Sequence, residues 1–203
     1  MIKAIIFDLG NVIVKVDKTK QIEAFSEDCG KSVSYLSKYF KKHPLEKKFE
    51  RGSVTGQDFY ERCKMDLNLK MDFEKFRKIW CDIFELDKDI EALIMNLKEK
   101  FRLVLLSNTD EMHFEHIRNS YPIINVFDEH VLSYKEGCRK PNPLIFIKAI
   151  QKAKTAPFNC MYFDDIIEFV FIARVLGIKA YQYESFGKLK DDLRRFKETA
   201  KVL

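Results

Sequence analysis

Five short apolar runs punctuate the chain: "KAIIF", "FRLVLLS", "DEHVLS", "CMYF" and "IKAYQY". Their apolar residues are continuous rather than alternating, so each predicts a strand buried on both faces. Helical periodicity fills the gaps, over residues 88–100, about 110–119, 143–153, 167–176 and 188–200. Strand and helix in alternation predict an α/β fold: a parallel sheet with helices on both faces. Residues 17 to about 85 break this rhythm and offer no strand. "KTKQIEAFSEDCG", "SVSYLSKYFKK", "GQDFYERCKMDL" and "DFEKFRKIWCDIF" each read as an amphipathic helix, punctuated by Gly30, Pro44, Gly52 and Gly56. Thr55, with Asp58 three positions on, marks a helix start. The division is therefore a core of residues 1–16 plus 86–203, with an all-α bundle of residues 17–85 inserted after the first strand. Phe40, Phe49, Phe59, Tyr60, Phe73, Phe76 and Trp80 fall at bundle-core positions.

Charge narrows the partners. Thirty-six basic against 31 acidic residues leave +5 without a compact basic arm, which argues against nucleic acid and suits a small anion. The basic run "KYFKKHPLEKKFER" reads as a solvated helix face. Cys29, Cys63, Cys81, Cys138 and Cys160 are scattered, odd in number and lack a C-x-x-C pair, so they predict free thiols and a reducing, cytoplasmic setting. Asp8 interrupts the apolar start, and no run is long enough to cross a membrane. His113, His116 and His130 show no metal-ligand spacing and are expected to be incidental. The chain is expected to act as a monomer or a dimer.

Ligands of open parallel sheets sit beyond the carboxyl ends of the strands. The first strand delivers Asp8 there and the second Ser107–Thr109. The third leads to "GCRKPNP" with Lys140, and the fourth ends on Asp164 and Asp165. Such a set suits phosphoryl transfer. Asp8 supplies a nucleophilic carboxylate, and Lys140 neutralises charge. The carboxylates call for a hard cation such as Mg²⁺. Asn108 with Glu111 resembles a capping pair, which would set Ser107 and the Asn108 amide at a helix start facing an anion. Asn142 and Pro143 suit another helix start, which fixes the loop of Lys140.

In this order "FDLGNVIV", "LLSNT", "GCRKPNPLIF" and "YFDD" resemble the four motifs of the haloacid dehalogenase superfamily. The resemblance covers nearly the whole chain. It implies a Rossmann-like core, a helical cap over residues 17–85 and a Mg²⁺-dependent phosphatase acting through an aspartyl-phosphate. "FERGSVTGQDFY" resembles cap sequences of bacterial alpha-D-glucose-1-phosphate phosphatases, which points to a small sugar phosphate as substrate. Residue by residue, the resemblance makes Asp8 nucleophile and metal ligand, and Gly10 a carbonyl ligand. Asp165 becomes a direct ligand and Asp164 a ligand through water, with Ser107, Asn108 and Lys140 as phosphate binders.

Two departures stand out. Most phosphatases of the superfamily carry an aspartate general acid where Gly10 stands, an omission worth about 10²–10⁴-fold. Three accounts follow: a good leaving group such as an anomeric hydroxyl, a proton from water or from the inserted segment (His43 and its acids being candidates), or feeble activity. Many relatives also carry asparagine where Phe169 stands. Competing readings are a 2-haloacid dehalogenase, which would leave Asp164 and Asp165 without a purpose, a phosphonate hydrolase using an inserted lysine, and a non-catalytic phospho-ligand binder, which would not need Asp8.

Overall fold

The computed structural model describes residues 1–202. In chain order its elements are β1 (Ala4–Phe7), β2 (Val14–Val16), α1 (Thr19–Cys29), α2 (Val33–Lys42), α3 (Pro44–Phe49), α4 (Gly56–Leu67), α5 (Phe73–Cys81), β3 (Phe84–Leu86), α6 (Lys88–Lys98), β4 (Arg102–Ser107), α7 (Glu111–Ser120), β5 (Glu129–Leu132), α8 (Ser133–Glu136), α9 (Pro143–Ala153), β6 (Cys160–Asp164), α10 (Ile167–Val175), β7 (Lys179–Gln182), α11 (Phe186–Arg194) and α12 (Lys197–Ala200). The five apolar runs form one parallel sheet in the order β5-β4-β1-β6-β7. All four residues of the central strand β1 are fully buried, as in a doubly covered strand.

Alternation along the strands divides the core in two. Ile5, Phe7, Leu103, Leu105, Met161 and Phe163 face α6, α7 and α11 on one side. Ala4, Ile6, Val104, Leu106 and Tyr162 face α9 and α10 on the other, where Phe169 packs with Val170 and Ala173. The asparagine-to-phenylalanine departure thus adds an aromatic ring to this second face. Helices α1–α5 have a separate cluster built from Phe25, Phe40, Phe49, Phe59, Phe76 and Trp80, into which Met112 of α7 inserts.

Several expectations change. Residues 17–85 do contain strand: β3 pairs antiparallel with β2, Val14 opposite Leu86 and Val16 opposite Phe84. A three-residue strand is too short to show a period, and only its partner reveals it. The last helix, expected over 188–200, starts at Phe186 and breaks between Arg194 and Lys197. The starts at Thr55 and Asn142 are as expected. Thr55 and Asp58 form a reciprocal capping box, and Asn142 caps α9 with Pro143 at its first turn. The cysteines are free thiols. No helix among the described residues is long and apolar enough to cross a membrane.

Candidate active site

Asp8 lies one residue beyond β1, its amide bonded to Phe163 O at 2.9 Å. That bond to β6 continues the ladder and aims the side chain past the sheet edge. Asp164 ends β6 and Asp165 follows it. Carboxylate oxygens of Asp8, Asp164 and Asp165 lie within 4.8 Å of one another.

Lys140 enters this group from the loop before α9. Its Nζ sits 2.8 Å from Asp8 Oδ1 and 2.6 Å from Asp164 Oδ2, and donates to Tyr162 Oη at 3.2 Å and Leu106 O at 3.3 Å. The lysine is 1% exposed. Burial alone would strip its proton, but the two carboxylates hold it charged, above the usual lysine range. Burial pushes the Asp8 carboxyl up to about 7; Lys140 pulls it down and Asp164 pushes it up. Asp164 is fully committed: Oδ1 accepts from the Ile166 amide, and Oδ2 meets both Lys140 and the Tyr162 hydroxyl. Asp165 is freer and half-buried; burial raises it and the Asn11 side chain, 3.1 Å away, opposes the rise.

Asn11 has φ 55, a left-handed conformation that asparagine tolerates better than most residues. Its Nδ2 donates to Asp165 and its Oδ1 accepts from Val16 N, so one side chain ties the turn after Asp8 to both the acidic pair and β2. Gly10 does not need to be glycine for space. A Cβ there would meet only Val16 Cγ2, at 3.4 Å.

The turn after β4 departs from expectation. Helix α7 begins at Glu111, and its cap is Asp110, which accepts from His113 N; Asn108 and Glu111 do not cap each other. Asn108 instead clamps the lysine loop, its Nδ2 donating to Lys140 O at 3.0 Å and its Oδ1 accepting from Lys140 N at 2.7 Å. Glu111 accepts from Gly56 N at the start of α4. Ser107 is buried and lines the cavity with Leu9, Gly10, Asn108 and Thr109.

That cavity, about 150 Å³, has a second wall from the helical segment: Lys18, Glu46, Glu50 and Phe84. Lys18 pairs with Glu46 at 2.8 Å. Glu50 lies 2.7 Å from Arg139, the neighbour of Lys140. The sequence signalled none of these pairs, because their partners are far apart in the chain. His113 is not incidental either. Its ring stacks on Trp80, Nδ1 meets Asp110 at 2.8 Å and Nε2 meets Trp80 O at 2.9 Å. Gln21 donates to the same carbonyl and Trp80 Nε1 to Asp110, so a buried polar network joins α1 and α5 to α7.

The sequence profile of the haloacid dehalogenase-like hydrolases matches residues 2–168. The chain belongs to this family. Among curated relatives of this haloacid dehalogenase-like hydrolase is the D-ribitol-5-phosphate phosphatase of Bacteroides thetaiotaomicron, 27% identical over 202 residues, covering 95% of this chain and 97% of that protein. A sesquiterpene phosphatase of Aspergillus oryzae is 22% identical over 179 residues, 87% of each chain. Among solved structures, a HAD family enzyme of B. thetaiotaomicron in complex with magnesium and inorganic phosphate superposes with a TM-score of 0.84 at 24% identity, covering 93% of this chain and 99% of that one.

Proposed function

We propose that this hydrolase is a Mg²⁺-dependent phosphatase of a small phosphorylated metabolite, with Asp8 as the nucleophile. One observation carries the reading: three carboxyls from the ends of β1 and β6 gather around one buried lysine. Three acids against one ammonium leave a surplus of negative charge, and all the donors are hard oxygens. This set fits Mg²⁺, which Asp8, Asp165 and the Gly10 carbonyl would hold, with Asp164 behind them. When bound, the cation would supply charge neutralisation for a phosphoryl group.

The chain's own residues do the rest. Asp8 attacks phosphorus to form an aspartyl-phosphate, which water then hydrolyses. Lys140 holds Asp8 in line and offsets its charge. Ser107 binds the phosphate through its hydroxyl. Asn108 acts through its clamp on the Lys140 loop, leaving its backbone amide for the anion. Residues 17–85 serve as a cap that roofs the site and excludes water.

The relative named for D-ribitol 5-phosphate favours a linear polyol phosphate as the first substrate to test. Glucose 1-phosphate keeps only the resemblance of "FERGSVTGQDFY". The dehalogenase reading leaves Asp165 without work. The deciding assay follows phosphate release from p-nitrophenyl phosphate and ribitol 5-phosphate with and without Mg²⁺, with Asp8→Asn as control. Release that needs both the cation and Asp8 is expected. Chloride release from 2-chloropropionate, with no phosphate from either ester, sinks the reading.

A further inference from the structure

Gly10 removes the usual acid from the floor of the site, and five side chains in or beside the cavity could replace it. Four are engaged or unsuited. Lys18 and Glu46 hold each other at 2.8 Å. His113 spends both ring nitrogens, on Asp110 and on Trp80 O. His43 lies in a neighbouring cavity, where its Nδ1 caps α3 and its ring stacks on Tyr39. Glu50 is left. It lines the same cavity as Gly10, Ser107 and Asn108.

Resting on the phosphatase reading, we infer that Glu50 is the proton donor to the leaving oxygen, supplied from the helical segment in place of an acid at position 10. Contacts with the core fix its position. The turn after α3 is pinned to the core at three points: Glu50 against Arg139, Gly52 against Tyr134, and Gly56 N on Glu111. Gly52 has φ +66, and a Cβ there would lie 2.2 Å from Tyr134 O, so only glycine allows this approach. Glu50 is thereby held in the wall of the cavity that Gly10, Ser107 and Asn108 also line.

The charges around it suit the role. Arg139 Nε is 2.7 Å from Glu50 Oε2, yet its N–H points off the line to that oxygen, a charge contact rather than an aligned hydrogen bond. Burial raises the Glu50 carboxyl; Arg139 and Lys18 lower it, and Glu46 and Asp110 raise it, with a net upward shift. Lys41, His43 and Lys47 border its outer side. A phosphate entering the cavity adds negative charge and pushes the carboxyl further up.

The steps balance. As Asp8 Oδ bonds to phosphorus, the P–O bond to the leaving group breaks and Glu50 gives its proton to that oxygen. Arg139 stabilises the resulting carboxylate. Water then attacks the aspartyl-phosphate, Glu50 takes the water's proton, and free Asp8, inorganic phosphate and the acid are regenerated.

The test compares Glu50→Gln with the unmodified protein on two esters, p-nitrophenyl phosphate and ribitol 5-phosphate. The nitrophenolate leaves without help and the alkoxide does not. The expected result is a loss of about 10²-fold or more in kcat on the alkyl ester and under about 10-fold on the aryl ester. Adding Gly10→Asp to that variant restores alkyl turnover. Equal losses on both esters, or none on either, overturn the role of Glu50. Failure of the unmodified protein on both esters is instead the failure of the phosphatase reading.

Discussion

The two walls of the candidate site, its floor and, on the proposed reading, its roof, are built on different principles. The floor is the carboxyl edge of a parallel sheet: Asp8, Ser107, Asp164 and Asp165 ride at or just beyond strand ends whose ladders fix their directions. The roof is a turn of a helical segment held by side-chain contacts with the core: Glu50 with Arg139, Glu111 with Gly56, and Trp80 with Asp110 and His113. Changes to the floor should remove chemistry, and changes to the roof should alter access, proton supply and the integrity of the segment.

The sharpest separation comes from Asp8→Asn. Turnover should fall by at least about 10⁴-fold, the scale expected when a covalent nucleophile is lost, measured as phosphate release at saturating Mg²⁺. The same variant should gain stability without cation. A native carboxyl raised to about 7 by burial binds its proton more tightly than the unfolded chain does. Its stability contribution is present below the unfolded value of about 4 and is lost as pH rises through about 7. Urea unfolding in EDTA should thus show the unmodified protein weakening from pH 5 to pH 8 more steeply than Asp8→Asn. Parallel slopes would mean that Asp8 is not carrying the proton.

Trp80→Ala should break the roof. The ring is fully buried, stacks on Phe76 and His113, and donates to Asp110. A loss of about 3–5 kcal/mol is expected in urea unfolding. Trp80→Phe should lose less, since it keeps most of the contact. Lys140→Met should cost about 3–5 kcal/mol at pH 8, because Asp8 and Asp164 lose their counter-charge. That cost should shrink at pH 5, where the carboxyls can take up protons.

The smallest effect tests a floor residue outside the reacting set. Asn11→Ala removes the tie to Asp165 and should weaken Mg²⁺ binding about 10-fold by calorimetry. Asn11→Gly, which keeps the left-handed turn, should weaken it similarly; if glycine binds normally, backbone conformation rather than the side-chain tie is what matters.

Most of the sheet was legible beforehand because a doubly buried strand writes its burial into consecutive apolar residues. The caps at Thr55 and Asn142 were legible because their partners lie two or three residues away. The β2–β3 pair was not, since each strand is only three residues long. Asn108 and Glu111 misled for a related reason. Their spacing fits a capping pair, but each found a more distant partner, Lys140 and Gly56.

The sequence by itself determined which runs form the sheet, the family, and the set of residues delivered to one edge, because strand periodicity and short motifs are local properties of a chain. Tertiary structure alone decided what the helical segment brings to the cavity beside that edge. Glu50 meets Arg139 and Trp80 meets His113 across long stretches of chain, and such convergence leaves no period or spacing for a sequence to display.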